Sequence, residues 1–537
     1  MKHYYILIFT LFSTIAFAQD DAWVYFTDKP NSQFYFNNPL EMLSQRALDR
    51  RSTQNIVLEF KDIPLESSYI DQVKKSEGIS LLAHSKWLNA LHIRGSVTDI
   101  NELKRLSFID KIDFANKTFN STSTNKATRK TVKVKNKLQT NLDFAYGSSV
   151  NQIKMLHGDV LHKNGYTGSG KIIAVIDAGF PGVNTAQPFE RLRANNKILG
   201  GYNYVSRNEN IYYGDSHGTL VLSTMGGFTE NKLVGTALDA SYYLFVTEVV
   251  ESENPVEESF WVQAAEKADS LGVDIITTSL GYFAYDNEAY SHRYKDMDGA
   301  TNFISRGAEI AFNKGMLVVV SAGNEGSTSE PHIGAPADAV SVLSVGAVNS
   351  SKNKANFSSI GPTSDKRIKP DIMAQGQQTV LSDAFGNIVT ANGTSFSAPV
   401  LAGMAACLWQ ALPDKTNQQI RDLIVSSSDN FATPNNQYGY GIPDFSIAAN
   451  LVLTFSENEN SNFVLYPNPT HNEITFLSLM KDDEAKVIVY SALGQKLFEK
   501  KITSEKNTIS LQTLPEGIYF YTFEAEKYNK SGKIIKQ

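Results

Sequence analysis

Three residue types that together can activate a hydroxyl follow one another along this chain: Asp177, His217 and Ser395. Ser395 lies in Gly393-Thr394-Ser395-Phe396-Ser397-Ala398-Pro399, a tight Gly-Thr turn ahead of a helix that Pro399 is expected to help start. A serine hydroxyl is a poor nucleophile near neutral pH; it needs a base within hydrogen-bond reach, and the base needs an orienting group. His217, in Asp215-Ser216-His217-Gly218-Thr219, suits the base because imidazole titrates near working pH. Asp177, at the end of the apolar run Lys171 to Ile176, suits the orienter that fixes the tautomer and stabilises an imidazolium. Attack on a carbonyl also builds an oxyanion, which needs donors already in place. The side-chain amide of Asn324, in Ser321-Ala322-Gly323-Asn324-Glu325-Gly326, is the candidate, alongside the backbone N–H of Ser395.

Taken singly, each residue has a plainer reading. An Asp after a buried strand caps a turn, a His-Gly belongs to a loop, a Thr-Ser starts a helix, and an Asn-Glu-Gly is a turn. The joint pattern is what distinguishes them: four short motifs in one order, each at a strand end or a helix start of one region.

That region, about Leu142 to Thr454, alternates strand and helix patterns. Lys171 to Ile176, Ser241 to Val249, Val273 to Thr278, Met316 to Val320 and Val340 to Val348 are continuous apolar runs, and Ser259 to Ser270 and Ser305 to Lys314 have helical periodicity. Strands apolar on both faces and spaced by helices predict a parallel sheet covered on both sides, with sites at the carboxyl ends of its strands. The fold class expected is therefore α/β, a parallel sheet with helices on both faces.

The 537 residues exceed one ordinary core, so further domains are expected. Residues 1–18 read as a signal peptide: Lys2 and His3 precede an apolar stretch from Tyr4 to Phe17, with Ala16 and Ala18 as small cleavage-site residues. Residues 20–115 mix strand-like runs such as Asn55 to Phe60 with helical patterns at Ser67 to Ser76 and Thr98 to Leu106, the latter capped by Thr98 or Asp99; a small α+β domain is expected. Residues 116–141 form a basic linker. From Ala115 to Asn141 the chain carries Lys117, Lys126, Arg129, Lys130, Lys133, Lys135 and Lys137 and no acid. It reads as a solvated segment open to proteolytic processing. A second linker at 455–462 precedes 463–537, where short strands and turns predict a small all-β domain. The net charge of −6 gives no reason to expect nucleic-acid binding, and the single cysteine, Cys407, excludes an internal disulfide and reads as buried filler.

Residues 142–454 resemble the catalytic domain of the subtilase family of serine peptidases. Val175-Ile176-Asp177-Ala178-Gly179 is similar to the family's aspartate motif, with Ala178 where Ser or Thr is more usual. His217-Gly218-Thr219 resembles its histidine motif, and Gly393 to Pro399 its serine motif, with Phe396 where Met is commoner. Phe357-Ser358, Gly361-Pro362 and Lys369-Pro370-Asp371 resemble a further family segment, although Gln375-Gly376 departs from the usual Pro-Gly. The resemblance implies a subtilisin-like fold and a secreted serine endopeptidase working through an acyl-enzyme. It also implies that Ser279-Leu280-Gly281 is the edge segment that pairs with extended peptide or protein substrates. Two other classes share the pattern: a non-catalytic surface adhesin on the same scaffold, and an esterase.

The resemblance requires no cofactor. Structural calcium is common in the family, and Asp296-Met297-Asp298-Gly299 has the spacing of part of a calcium loop, but a full loop needs more ligands. No metal site is assigned, and Tyr282 to Gly307 is expected to be a solvated insertion. Residues 20–115 resemble, chiefly by position, a subtilase propeptide that acts as intramolecular inhibitor and folding template, with Ser85-Lys86-Trp87-Leu88-Asn89 as its most suggestive patch. Residues 463–537 resemble the C-terminal sorting domain of the Bacteroidetes type IX secretion system, through Tyr466-Pro467-Asn468-Pro469, Ala492-Leu493-Gly494-Gln495, Glu516-Gly517-Ile518-Tyr519 and Gly532 to Lys536. That resemblance implies the type IX machinery as a partner and a secreted or outer-membrane, cell-surface location for a protein made as a preproenzyme.

Overall fold

The structure, a computed structural model, describes residues 19–120, 144–449 and 463–536, apart from 467–469, 471–472, 479–484, 492–493, 503–505 and 526–527. The signal peptide, most of the basic linker, the 455–462 linker, and Pro467 to Pro469 and Ala492-Leu493 of the sorting motifs lie outside the described residues.

The N-terminal part is built on a four-stranded antiparallel sheet. Its strands are β1 (Gln19–Phe26), β2 (Ser80–Ser85), β3 (Ala90–Ser96) and β4 (Ile109–Phe114), in the order β2-β3-β1-β4. The helix expected over 67–76 is present as Ser67–Lys74. The next begins earlier than its sequence suggests, at Val97, because Ser96 and not Thr98 or Asp99 caps it: Ser96 Oγ accepts from Asp99 N at 3.1 Å. The strand expected at Asn55 to Phe60 is absent. Asn55 lies in a turn with φ 55°, Phe60 opens a 3-10 turn, no strand pairs with the residues between, Val57 is exposed, and Glu59 is engaged by a lysine of the next unit. The first unit runs on through Asn120, whose side chain accepts from Phe114 N and donates to Phe114 O, both at 2.7 Å.

The central unit carries a seven-stranded sheet of β5 (Ile172–Asp177), β6 (Ile198–Asn203), β7 (Ser241–Val246), β8 (Ile275–Thr278), β9 (Leu317–Ser321), β10 (Leu343–Val348) and β11 (Ile372–Gln375), ordered β11-β10-β9-β8-β5-β7-β6. Every pairing is parallel. All residues of β5, β8, β9, β10 and β11 are buried, so both faces of the sheet are covered, as their mainly apolar composition requires. The helices Val256–Leu271 and Phe303–Asn313 pack on each other; so do His217–Gly226 and Thr394–Ala411, the second of which lies along β8 to β11. From β5 the chain first builds β6 and β7 on one side, then returns to lay β8 on the other. The crevice at such a reversal, outside the carboxyl ends of the strands, is where α/β sheets place their sites.

The insertion at 282–307 is not a solvated loop. Tyr282, Tyr285, Tyr290, Met297 and Phe303 are buried in the main core. Glu258, from the helix beneath, draws the segment in: its carboxylate accepts from Tyr285 Oη at 2.6 Å, His292 Nε2 at 2.8 Å and Ile304 N at 2.9 Å. Burial pushes the Glu258 carboxyl up, but the charge of His292 and the three hydrogen bonds outweigh it and hold Glu258 down at about 2.

The C-terminal part is all β. Phe463–Tyr466, Glu473–Ser478 and Lys506–Ser510 form one antiparallel sheet; Lys496–Ile502, Ala485–Tyr490, Gly517–Ala525 and Tyr528–Lys536 form another. They share a core that includes Ile474, Phe476, Val487, Val489, Phe523 and Ile534. Among the described residues no helix is long and apolar enough to cross a membrane.

Candidate active site

Asp177 is the last residue of β5 and is fully buried. Its Oδ1 accepts from Ala178 N at 2.8 Å and from His217 Nδ1 at 2.8 Å. His217 opens the His217–Gly226 helix, where its own N–H, free of any helical partner, donates to Asp215 Oδ1 at 2.7 Å. Gly218 allows this helix start to lie against β5, since a Cβ there would meet Gly179 O at 2.4 Å and Asp177 Cβ at 3.0 Å. The charge of Asp177 raises the His217 imidazole to about 8, against the opposing effect of burial, with the Asp177 hydrogen bond and the charges of Asp215 and Glu248 adding to it. A ring bonded through Nδ1 has its other nitrogen, Nε2, left to exchange a proton with a nucleophile.

Ser395 lies in the first turn of the Thr394–Ala411 helix, nearly buried, and the Phe396 ring beside it sits 6.0 Å from the His217 ring. Pro399 does not start this helix, as its sequence suggests, but sits inside it. There its missing N–H leaves the Ser395 carbonyl without an i+4 donor. Ser279 Oγ, just past β8, supplies one at 2.8 Å. The Ser395 N–H, one of the orphan donors of a helix start, has no acceptor among the described residues.

Asn324 lies three residues past β9 on the exposed rim. Its Oδ1 accepts from Thr394 N at 2.9 Å and Thr394 Oγ1 at 3.1 Å, while Thr394 Oγ1 accepts from Gly323 N at 3.2 Å. These bonds fix which end of the amide is oxygen, so Nδ2 is the group left to donate. Ser279, Leu280, Gly281, Asn324 and Ser395 line one cavity of about 230 Å³, and the backbone beyond Gly281 is tied down by Tyr282 N donating to Ala335 O at 2.8 Å. A larger cavity, of about 490 Å³, lies elsewhere, between β2 and the Val256–Leu271 helix.

Sequence reasoning missed Thr394 as the clamp on Asn324 and Asp215 as the acceptor for His217. It also missed Ser279 as the partner of the Ser395 carbonyl, although Pro399 four residues after Ser395 was a legible signal for that. The fragment of a calcium loop is otherwise employed: Asp296 Oδ2 accepts from Lys117 Nζ at 2.7 Å and Arg293 N at 2.9 Å, and Asp298 caps Ala300 and Thr301. Among the described residues no three His, Cys, Asp or Glu side chains are grouped to hold a metal ion. Cys407 is buried, its thiol pushed well above the usual range by desolvation.

The N-terminal unit docks on the helices Val256–Leu271 and Phe303–Asn313, and the patch at 85–89 is part of the seam. Glu266 accepts from Ser85 Oγ at 2.6 Å, Trp87 N at 2.9 Å and Lys86 N at 3.2 Å, and Trp23 Nε1 donates to Ser259 Oγ at 2.9 Å. At the far end Arg50 and Arg51 both pair with Asp269, and Lys314 pairs with Glu59 and Asp62.

A parallel α/β sheet with an Asp–His pair, a helix-start serine and a clamped amide at its carboxyl edge defines the class: an α/β protein equipped for nucleophilic serine chemistry. Residues 168–441 match the family model Peptidase S8, described as the subtilase family. The chain is 33% identical over 303 residues to subtilisin NAT of Bacillus subtilis subsp. natto, covering 55% of this chain and 70% of that protein. It is 32% identical over 302 residues to the subtilisin of Bacillus pumilus, covering 55% of this chain and 97% of that protein. The chain belongs to the subtilase family of serine peptidases, with the subtilisin-like fold. Among solved structures, the epidermin leader peptide processing serine protease of Staphylococcus aureus shares this fold with a TM-score of 0.53 at 15% identity, covering 81% of this chain and 98% of that one. Residues 21–133 match the Peptidase S8 propeptide domain of Bacteroidota, and residues 464–537 the secretion system C-terminal sorting domain. The protein is thus a subtilase with a propeptide and a sorting tail, exported to the cell surface or beyond it.

Proposed function

We propose that this protein is a serine endopeptidase made as an autoinhibited preproenzyme, in which Asp177, His217 and Ser395 form the catalytic triad. His217 Nε2 takes the proton of Ser395 Oγ as the oxygen attacks a peptide carbonyl, and Asp177 stabilises the imidazolium that results. The oxyanion is met by the Ser395 N–H and Asn324 Nδ2. The imidazolium then gives its proton to the leaving amine, and water, deprotonated by the same imidazole, hydrolyses the acyl-enzyme. Ser279-Leu280-Gly281 presents main chain to an extended substrate, which gives affinity for peptides in general. The N-terminal unit holds the enzyme inactive until cleavage in the basic linker, and no metal or cofactor enters the chemistry.

The observation that carries this reading is the 2.8 Å bond from His217 Nδ1 to a fully buried Asp177, with the His217 ring 6.0 Å from the ring of Phe396, the residue next to Ser395, on the subtilase fold. Ser395→Ala is expected to abolish casein hydrolysis while leaving the protein folded and secreted. Casein hydrolysis at the parental rate by that variant would remove Ser395 from the reaction.

A further inference from the structure

The cavity beside Ser395 has a sign. Glu325 and Glu330 both line it, and no lysine or arginine does. Glu325 is held in place: its N–H donates to Ser359 Oγ at 3.0 Å, and that hydroxyl donates to Glu325 Oε2 at 2.8 Å. Gly323 leaves room for this arrangement, since a Cβ there would meet Glu325 Oε2 at 2.4 Å. Among the described residues neither carboxylate has an ion-pair partner; both are exposed at the cavity mouth, and His332 is the other titratable residue of the lining. The remaining walls include Leu280, Phe283 and Ala322, which are apolar. Apolar walls under a carboxylate rim suit a side chain with a methylene stem and a cationic head.

A second observation points the same way. The segment whose cleavage would separate the propeptide from the rest of the chain, 115–141, carries seven lysines and arginines and no acid. A crevice of one sign concentrates ligands of the other.

We propose that Glu325 and Glu330 make this enzyme select lysine or arginine as the residue on the acyl side of the cleaved bond. The inference rests on the peptidase reading given above and adds the substrate class to it. The two carboxylates are specificity residues; neither exchanges a proton with the reacting atoms.

The test uses the matured enzyme and internally quenched peptides that differ only at the acyl-side residue: arginine, lysine, citrulline, norleucine, phenylalanine or glutamate. Arginine is expected to exceed citrulline, its uncharged isostere, by about tenfold or more in kcat/KM, with glutamate worst. E325Q and E330Q should each lower the arginine-to-citrulline ratio, and together bring it close to one; glutamine at 325 still accepts from Ser359. Equal rates for arginine and citrulline, or a ratio untouched in the double variant, overturn the proposal. Each preparation is also labelled with a fluorophosphonate. A labelled enzyme with the wrong preference refutes charge selection alone, whereas no labelling and no hydrolysis of any peptide refutes the peptidase reading and this inference with it.

Discussion

Ser279 Oγ donates to the carbonyl oxygen of Ser395 at 2.8 Å, and Pro399, four residues further on, is the reason that carbonyl needs a donor. The backbone of Ser395 is thereby tied to the end of β8, the strand that leads into Leu280 and Gly281. One bond fixes the position of Ser395 relative to that segment.

Removing that hydroxyl leaves a buried carbonyl unpaired, which costs about 1–3 kcal/mol. Ser279→Ala is therefore expected to destabilise the protein by that amount and to lower kcat. Pro399→Ala returns an N–H that can serve the same carbonyl, so the double variant should lose less than the sum of the single losses. Urea unfolding of the set in a Ser395→Ala background, where autolysis cannot interfere, measures the coupling.

Asn324 is expected to act in the transition state alone. Asn324→Ala should lower kcat by about 10²–10³ with little change in KM, a magnitude known from subtilisin itself. Thr394→Val, which removes one of the donors that orient the amide, should lower kcat less. Steady-state kinetics on a single peptide distinguishes both from a binding defect.

The pH dependence follows from His217. Its imidazole is raised to about 8 because the Asp177 charge favours the protonated form, and only the neutral form can accept the serine proton. Activity should therefore be low on the acid side and reach half its plateau near pH 8 in the kcat/KM profile of the free enzyme. Asp177→Asn removes the largest cause, so the acid limb should move down toward the ordinary imidazole range, while turnover falls by about 10⁴. A profile in which the limb stays near 8 in that variant would contradict the assignment of Asp177.

Glu266 meets three donors of the 85–87 loop at the seam with the propeptide, and burial raises its pKa. Glu266→Ala strands those donors, and losing one side of such a buried contact costs about 2–5 kcal/mol of binding. The purified proenzyme carrying it should show a much shorter lag before activity appears than the parent. Lys117→Met, which breaks the pairing with Asp296 and His292, should shorten the lag less because Lys117 itself is exposed and its ion pair is screened.

Much of this was legible before any coordinates. Met316 to Val320 is apolar at every position, and Ile172 to Ile176 likewise, the pattern of a strand covered on both faces. Asp177, His217, Asn324 and Ser395 could be read because each sits where a strand ends or a helix begins. What failed did so for tertiary reasons. Asn55 to Phe60 has strand composition, but no strand lies beside it and Glu59 is spent on Lys314. Tyr282 to Gly307 reads as polar and solvated, yet Glu258, which looks like a surface charge on its own helix, gathers Tyr285, His292 and the Ile304 N–H beneath the fold. Pro399 reads as a helix starter by type; its place in the second turn makes sense only once Ser279 is seen across from Ser395.

The central claim is that Ser395 is the nucleophile and that His217 activates it. Mapping the site of a fluorophosphonate adduct by peptide mass spectrometry tests it most directly. The adduct is expected on the peptide containing Ser395, and its formation should slow by orders of magnitude in His217→Ala. An adduct on a different serine, or labelling of Ser395 at an unchanged rate without His217, would contradict it.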